Sequence, residues 1–395
     1  MSPNSISPDF KVAGTALVVR FSLISLTLLL AACGPKTLPP ASPLDTAANH
    51  FKRGMAKFER GELQGAQAEF ERANALDPDH PGSYTGYGLV SMAQGDFWRA
   101  RQQIEQSLHK DDDVAITYIA LGRIVTEEGI QRGFSTDDWL DEAVRAYRKA
   151  AALAPDDPDA HYWQGQSYLK ARELESARLA LTRVIEQNTG PYVALAMAEV
   201  ERIQTIQRAS PGSELGLKIA MVERITRAEL AVLLLEELKL AELVKQRRPT
   251  EEKPFRTPQE EAGEDASPED VSLSWARAWI EEILSLGVPG LEVMPDNTFQ
   301  PEKPLTRASY ARVNEGILGL ITADQGLSTR YVGEESRFPD VRGDSYAYNA
   351  IAVSVGRGIM SADRITGRFR PDDPVSGAEA LLMMRELQNA VRMEF

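Results

Sequence analysis

The sequence predicts a mainly α-helical protein assembled from two different sets of internal repeats. In the first set, small residues recur at a fixed spacing, so that Gly54 and Ala66 return as Gly88 and Ala100. In the second set, an ordered string recurs that begins with Asp-Val, continues through Gly-Val or Gly-Ile and Phe-x-Pro, and ends near Thr-Arg-Ala. Self-similarity of this kind is typical of stacked helical units, because each unit needs a neighbour to bury its apolar face.

Residues 1–33 are predicted to be a signal peptide. Lys11 and Arg20 provide a positive flank, and residues 21–32 follow without any charge. A membrane-spanning helix needs about 20 consecutive apolar residues, so this short run fits the core of a cleavable signal.

The end of that run predicts where the protein is located. Residues 30–33 (LAAC) resemble the lipobox of bacterial lipoproteins, in which the cysteine thiol receives diacylglycerol and cleavage makes that cysteine the N-terminus. The resemblance implies lipidation of Cys33, a membrane anchor, and a linker over 34–46. Gly34 stands where an Asp retains some lipoproteins at the inner membrane, which implies the outer membrane of a two-membrane bacterium. The alternative is an ordinary secretory signal with an incidental cysteine.

Composition excludes several classes of function. The net charge is -14, whereas contact with nucleic acid needs clustered Lys and Arg. A single cysteine excludes a disulfide framework, and no Gly-rich phosphate loop or GxSxG motif stands out. The four histidines lack the spacing of metal ligands: they are His50, His80, His109 and His161. We therefore expect no catalytic residue, no metal, no cofactor and no nucleic-acid partner.

Residues 47–210 resemble tetratricopeptide repeats, whose period of about 34 residues matches the spacing of the first set. Small residues at the repeated positions allow the two helices of a unit to approach closely. Pro78 ends a second helix, because proline cannot continue the hydrogen-bond ladder. The resemblance implies an α-solenoid, and residues 191–210 are expected to form the capping helix that such an array needs.

The third unit departs from the period. Gly122 to Ala143 exceeds the matching stretch from Gly88 to Ala100 by nine residues. We expect the extra residues to form an extended or protruding turn around 126–138.

The tetratricopeptide resemblance also implies a groove that binds an unidentified protein or peptide. Its family positions are apolar for the most part in this chain, with adaptable methionines that suit a helix or an extended hydrophobic segment. The predicted groove residues are Phe51, Met55, Phe58, Leu89, Met92 and Tyr162, with Arg123 and Gln166 beside them. The alternative is that some of these side chains cover the chain's own linker or core, because their spacing is also that of a buried helix face.

Residues 211–395 resemble S-layer homology domains, of which three copies form a pseudo-threefold helical assembly that binds cell-wall polysaccharide or peptidoglycan. The domain boundaries that follow are a partial first copy over 211–244, a polar loop over 245–269, a second copy over 270–322 and a third copy over 323–395. The first copy lacks the Asp-Val opening and the Phe-x-Pro turn, and 212–222 is expected to supply a short substitute helix.

Within these copies the Thr-Arg-Ala string separates helix capping from binding. A Thr followed three residues later by Glu forms a capping box, as Thr226 and Glu229 do, but capping does not explain the arginine. In the family this arginine meets an acidic sugar substituent, as a guanidinium suits a carboxylate. The predicted polymer-binding residues are Arg227, Arg307, Thr226, Thr306 and Trp275.

Two further positions leave alternatives open. Copy three has Gly377 where the arginine belongs, so that copy is expected to be structural, and a new arginine there is expected to strengthen binding. Trp275 and Tyr346 occupy the aromatic position near the start of the first helix. Each could stack on a sugar ring, but core packing is the favoured role of both.

Together these patterns predict a non-catalytic lipoprotein of the cell envelope that tethers a membrane to the wall polymer and binds a protein partner. The chief alternative is an adaptor between proteins whose C-terminal module no longer binds sugar. A wall hydrolase is a more distant alternative that no catalytic pair supports. Binding to insoluble wall sacculi would separate the first two hypotheses.

Overall fold

The computed structural model describes residues 38–247, 268–322, 324 and 326–393, and the chain forms two compact units, Met1–Ala196 and Met197–Phe395. The prediction of a mainly α fold is confirmed. Among the described residues, β pairing is limited to two isolated bridges, Thr226 with Pro304 and Thr306 with Pro374. In those ranges no helix has the length and apolar character needed to cross a membrane. Cys33 and most of the predicted polar loop lie outside the described residues.

The first unit consists of four helix pairs. The helices are α1 (Ala47–Glu59), α2 (Leu63–Leu76), α3 (Pro81–Ala93), α4 (Phe97–Lys110), α5 (Ala115–Arg132), α6 (Thr136–Leu153), α7 (Asp159–Lys170) and α8 (Leu174–Gln187). The glycines permit the pairing, since a side chain at Gly54 would overlap the buried ring of Phe70. Phe70 fills the space between helices at 0% exposure. The predicted capping segment forms α9 (Val193–Ala209), within which the two units divide.

The expected protruding turn in the third unit is absent from the structure. Helices α5 and α6 each have 18 residues, against 13 in α3 and 14 in α4, so the nine extra residues extend the two helices. The connection is a short turn in which Gly133 adopts a left-handed conformation (φ 66°). The prediction was wrong because the added turns pack on each other: Trp139 is buried at 5% exposure, against the space that Gly129 leaves open.

The second unit contains three copies of a short first helix followed by a longer second helix. Copy one has α10 (Glu214–Ala220) and α11 (Arg227–Glu236), followed by α12 (Leu240–Arg247). Copy two has α13 (Arg277–Leu286) and α14 (Arg307–Thr322), and copy three has α15 (Tyr348–Gly356) and α16 (Gly377–Met393). Helix α10 is the substitute expected in copy one, with the Ser213 hydroxyl capping its N-terminus.

The three copies close into a ring of backbone hydrogen bonds. The Leu305 amide donates to the Ile225 carbonyl (2.9 Å), the Val375 amide to the Leu305 carbonyl (3.1 Å), and the Ile225 amide to the Val375 carbonyl (2.9 Å). All three side chains are buried at 0–2% exposure. Each residue directly precedes the residue that caps a second helix, so the ring fixes where those helices start.

The Asp-Val string positions the Phe-x-Pro turn of its own copy. The Asp270 carboxylate accepts hydrogen bonds from the amides of Phe299 (3.0 Å) and Gln300 (2.7 Å), and Asp340 does the same for Phe369 (2.9 Å) and Arg370 (2.8 Å). These bonds give a partner to backbone amides of the turn, which lie outside the helices and so make no helical hydrogen bond.

Candidate polymer-binding and protein-binding surfaces

The side chain of Arg227 binds residues of its own unit, the second unit. Its side chain lies over the Phe299 ring, with the guanidinium carbon 4.6 Å from the ring centroid. Its Nε donates to the Phe299 carbonyl (2.7 Å), Nη1 to the Gly290 carbonyl (2.9 Å) and Nη2 to the Glu292 carbonyl (2.8 Å). At 4% exposure it is a buried brace between copies one and two.

Arg307 repeats this arrangement between copies two and three. It lies 4.7 Å from the Phe369 centroid, and its Nε and Nη2 donate to the carbonyls of Phe369 (2.9 Å) and Ser361 (2.7 Å). Both arginines therefore brace junctions between copies, a role that the sequence analysis did not predict. Helix capping does not explain the presence of these two arginines, whereas their hydrogen bonds to backbone carbonyls of the next copy do. Their polymer contact stays a prediction.

Gly377 stands at the matching position in copy three because copy one leaves no space there. Its amide donates to the Val222 carbonyl (2.8 Å), and a Cβ at this position would overlap the Ile219 carbonyl oxygen. The structure argues against the expectation that an arginine here would strengthen binding, because any side chain would collide with the end of α10.

The third junction has a different brace. The buried Glu237 carboxylate accepts hydrogen bonds from the Gly212 amide (2.8 Å), from the amide and hydroxyl of Ser213, and from Arg385 Nη2 (2.8 Å). Arg385 also donates through Nε to the Ala209 carbonyl (2.7 Å). An ion pair with a buried carboxylate therefore joins copies three and one. The sequence analysis missed it because the pair has no counterpart in the repeated string.

The predicted capping residues act as caps. Thr226 accepts from the Glu229 amide (3.3 Å) while Glu229 accepts from the Thr226 amide (2.8 Å), a complete capping box. Thr306 accepts from the Ser309 amide (3.2 Å) without a carboxylate. Ser376 and Glu379 form a third box in copy three. Binding of polymer by Thr226 or Thr306 stays a prediction.

Trp275 and Tyr346 are exposed, contrary to the favoured role in the core. Each directly precedes the residue that caps a first helix, and each follows a serine whose hydroxyl accepts from the next alanine amide, Ala276 or Ala347. The two rings therefore occupy equivalent places in copies two and three. Their exposed fractions are 52% and 78%, so both present aromatic faces to solvent.

The ring of Trp275 has an aromatic neighbour, and the ring of Tyr346 has a charged neighbour from another copy. Trp275 packs beside Trp279, with centroids 6.2 Å apart, and Trp279 Nε1 donates to Glu236 of copy one (2.9 Å). Arg312 of copy two lies 5.6 Å from the centroid of Tyr346. An exposed ring beside a carboxylate or a guanidinium can stack on a sugar and bond its hydroxyls.

The predicted apolar groove of the first unit is largely core. Phe58, Leu89 and Met92 are buried at 8%, 0% and 9% exposure in one cluster, with Phe51 and Met55 half-buried against it. Tyr162 is buried at 8% and stacks on Tyr192, the centroids 4.1 Å apart and the rings within 3° of parallel. The alternative of core packing describes these side chains better, because they fill the gaps between neighbouring helix pairs.

Charged side chains lie beside these buried residues, and the side chain of Arg123 is itself only 10% exposed. Arg123 is sandwiched between Phe58 and Trp163, with its guanidinium carbon 3.6 Å from the Trp163 centroid, and bonds Glu59 (2.7 Å). Lys170 pairs with Glu127. The predicted apolar groove is thus replaced by a surface with ion pairs. The spacing of residues in the sequence could not distinguish such a surface from an apolar groove.

Comparison with known proteins now assigns both repeat sets. A family model of the tetratricopeptide repeat matches residues 51–115 and 140–191, and a model of the S-layer homology domain matches 270–311 and 337–381. The chain contains tetratricopeptide repeats and S-layer homology domains. The predicted first copy lies outside the matched residues, although it shares a capping box with copy three and has a place in the hydrogen-bonded ring.

Curated relatives match part of the chain. The chain is 24% identical over 228 residues to cellulose synthase 1 operon protein C of Komagataeibacter xylinus, covering 48% of this chain and 17% of that protein. It is 34% identical over 77 residues to cellulose synthase operon protein C of the same species, covering 20% and 6%. The chain thus spans less than a fifth of the length of these curated relatives.

Two solved structures with helical repeats are similar to part of the chain, with low TM-scores. A tetratricopeptide-repeat protein of Thermus thermophilus has 19% identity and a TM-score of 0.35, covering 49% of this chain and 92% of that protein. The pilF protein of Pseudomonas aeruginosa has 16% identity and a TM-score of 0.32, covering 55% and 97%.

Proposed function

We propose that this protein is a non-catalytic component of a bacterial cell envelope that binds a wall polymer through its S-layer homology module and a protein through its tetratricopeptide repeats. Both kinds of module are generally scaffolds or binding modules, which supports the non-catalytic role. The lipobox supports an anchor at Cys33, on the outer membrane of a two-membrane bacterium. With both ends engaged, the chain would tether a membrane to the wall.

Wall binding rests on one observation, the equivalent exposure of Trp275 and Tyr346. Large aromatic side chains are normally buried because each removes about 150–250 Å² of surface from water. Here the rings are held at the starts of two first helices by the same serine-alanine contact, at junctions between copies. We infer that each ring stacks on a sugar of the polymer, with Arg312 bonding the hydroxyls beside Tyr346.

The test is sedimentation of the full chain with insoluble wall sacculi. Trp275→Ala with Tyr346→Ala should reduce the bound fraction strongly while the melting temperature changes little, because exposed substitutions usually alter stability by less than about 0.5 kcal/mol. Trp98→Ala is the matched control, since Trp98 is 66% exposed in the first unit. Equal sedimentation of all three proteins would refute sugar stacking by these rings.

The second candidate function is an adaptor between proteins whose S-layer homology module has lost sugar binding. Its specific support is that Arg227 and Arg307 already bind backbone carbonyls and that Gly377 replaces the third arginine. An absence of any sacculus binding by the unmutated chain would favour the adaptor.

The names of the relatives bear on the protein partner. Both are proteins of cellulose synthase operons, which supports a partner that belongs to a machinery for making a polysaccharide. We infer that the tetratricopeptide repeats bind such a partner through the charged surface of Lys170 and Glu127, whose side chains are 41% and 33% exposed. Lys170→Glu should then weaken capture of the partner, and unchanged capture would exclude this surface.

A further inference from the structure

A polar cleft crosses the outer faces of α2, α3 and α4, apart from the predicted groove. We name it the glutamine cleft, after its lining residues Gln67, Tyr84, Tyr87, Gln94, Gln103 and Gln106. One carboxylate, Glu71, and one guanidinium, Arg99, complete the charged part of its lining. The formal charges of the lining therefore cancel.

The floor of the glutamine cleft is rigid. The Tyr84 hydroxyl donates to the Pro78 carbonyl (3.2 Å) and the Tyr87 hydroxyl to the Phe70 carbonyl (3.3 Å), so neither ring can rotate away. The rings stand at 85° to each other with centroids 6.2 Å apart. Both are partly exposed, which leaves part of each aromatic surface in the cleft. An aromatic surface held in place loses little conformational entropy on binding.

The walls can donate and accept hydrogen bonds. Within the described ranges the side-chain amides of Gln94, Gln103 and Gln106 have no hydrogen-bond partner, whereas Gln67 donates to Glu71 (2.8 Å). Each amide carries two donor hydrogens and an acceptor oxygen. Sugar hydroxyls also donate and accept, so amides match them without needing charge on either side.

The preceding repeat shows that this lining is a departure from the local pattern. Five of the cleft positions lie one repeat period after members of an ion-pair cluster between α1 and α2. The pairs of positions are His50 and Tyr84, Arg53 and Tyr87, Lys57 and Ser91, Glu69 and Gln103, and Arg72 and Gln106. In the first repeat Glu69 binds His50 (2.6 Å) and Lys57 (2.7 Å) across the helix pair. In the second repeat every one of these ionisable residues is replaced by an uncharged polar one.

From this geometry we propose that the glutamine cleft binds an uncharged glycan chain, as a site separate from the S-layer homology module. The two tyrosine rings contact the apolar faces of the sugars, and the three amides bond their hydroxyls. The balanced charge gives no preference for an acidic polymer. A peptide is the competing occupant, and it is disfavoured because the lining offers no open apolar pocket for its side chains.

The test is isothermal titration calorimetry of the full chain with cellohexaose and laminarihexaose, two neutral probes, and with hexagalacturonate as an acidic one. A neutral hexasaccharide should bind, and Gln103→Ala with Gln106→Ala should weaken it about tenfold, since two hydrogen bonds are lost. Gln102→Ala is the matched control, because Gln102 lies on α4 beside the cleft but does not line it. Trp275→Ala with Tyr346→Ala removes the rings proposed to bind the wall, so neutral-sugar binding that persists in this variant and depends on Gln103 belongs to the glutamine cleft.

Four results would overturn the proposal. They are no binding of either neutral probe at millimolar concentration, equal binding by the double variant and the native chain, preferred binding of hexagalacturonate, and binding of the peptide (Gly-Ser)₃ in place of the sugars with the same dependence on Gln103. Raising the salt from 0.05 to 0.5 M should leave neutral-sugar binding unchanged, because screening acts on charges. A circular dichroism spectrum confirms that each variant keeps its helices.

Discussion

Arg227 donates its Nε hydrogen to the main-chain carbonyl of Phe299 and lies against the ring of the same residue, 4.6 Å from its centroid. One side chain of copy one thus holds both the backbone and the side chain of a turn in copy two. Because Arg307 and Phe369 repeat the contact, it is a general joint between consecutive copies.

The first prediction concerns that joint. Arg227→Ala should lower the free energy of unfolding by about 3 kcal/mol, since three carbonyls, of which that of Phe299 is buried, lose their donor. Arg227→Lys should not restore it, because an ammonium lacks the planar set of donors. Chemical denaturation followed by circular dichroism measures the change, with the exposed Arg224→Ala as control. A loss below about 0.5 kcal/mol, the size usual for a surface substitution, would contradict the role of brace.

The second prediction concerns Gly377. Gly377→Ala should destabilise the second unit strongly, because the added Cβ would overlap the Ile219 carbonyl and push α10 from the ring. Gly319→Ala is the matched control in α14, where no atom lies within 4 Å of an added Cβ. There alanine should be neutral or stabilise by up to about 1 kcal/mol. Equal melting temperatures of the two variants would contradict the prediction, because they would show that the junction between copies three and one accommodates the added carbon.

The third prediction concerns acid stability through Glu237. Burial alone would raise the pKa of this carboxyl, but the Gly212 and Ser213 amides, the Ser213 hydroxyl and Arg385 together hold the pKa below its usual 4.5. The stabilisation is therefore present above that usual value and is lost as the pH falls through the lower folded-state pKa. Glu237→Gln should flatten this loss in pH-dependent denaturation, and Glu242→Gln, outside this network, should not. If Glu237→Gln loses stability at low pH just as the native chain does, the Glu237 carboxylate does not have this role.

The fourth prediction concerns Asp159, whose contribution to stability changes with pH in the opposite direction to that of Glu237. Burial, and then the neighbouring Asp157 carboxylate, raise the pKa of Asp159 to about 6. The folded state therefore binds more protons than the unfolded state between pH 3.8 and 6, so this group's contribution to stability falls as the pH rises through that range. Asp159→Asn should make the first unit more stable at pH 7 than the native chain. Asp156→Asn, an exposed change nearby, is the control, and equal melting of both variants at pH 7 would count against the prediction.

The fifth prediction concerns the anchor. Cys33→Ala should give a chain that is not acylated and leaves the membrane fraction, because the thiol is the group that accepts the lipid. Metabolic labelling with a fatty acid, followed by fractionation, measures both effects. Ser25→Ala within the signal core is a control that should leave both unchanged. Acylation or membrane retention of Cys33→Ala would remove the lipoprotein hypothesis.

Local chemistry made much of the fold predictable from the sequence. The capping box of Thr226 and Glu229 depends on residues three apart, and the pairing of Gly54 with Phe70 depends on the period of the first repeat set. Both can be recognised without knowing the tertiary structure. The helix pairs and the three copies followed from such short-range patterns.

Long-range partners made the site residues harder to predict. The carbonyls that bind Arg227 lie 63 to 72 residues away, so the sequence showed an arginine without showing its partner. The groove was misjudged for a related reason. Leu89 and Met92 have the spacing of a helix face, but spacing cannot tell whether a neighbouring helix pair or a partner covers that face.

The closed ring of Ile225, Leu305 and Val375 also limits how such a gene can change. A solenoid tolerates duplication or deletion of a whole repeat, since an open stack only becomes longer or shorter. A cycle with three members has no free end at which a fourth could be added, and removal of one breaks two of the three bonds and opens the ring. We therefore expect related chains to differ in the number of their N-terminal repeats while the C-terminal count stays fixed at three.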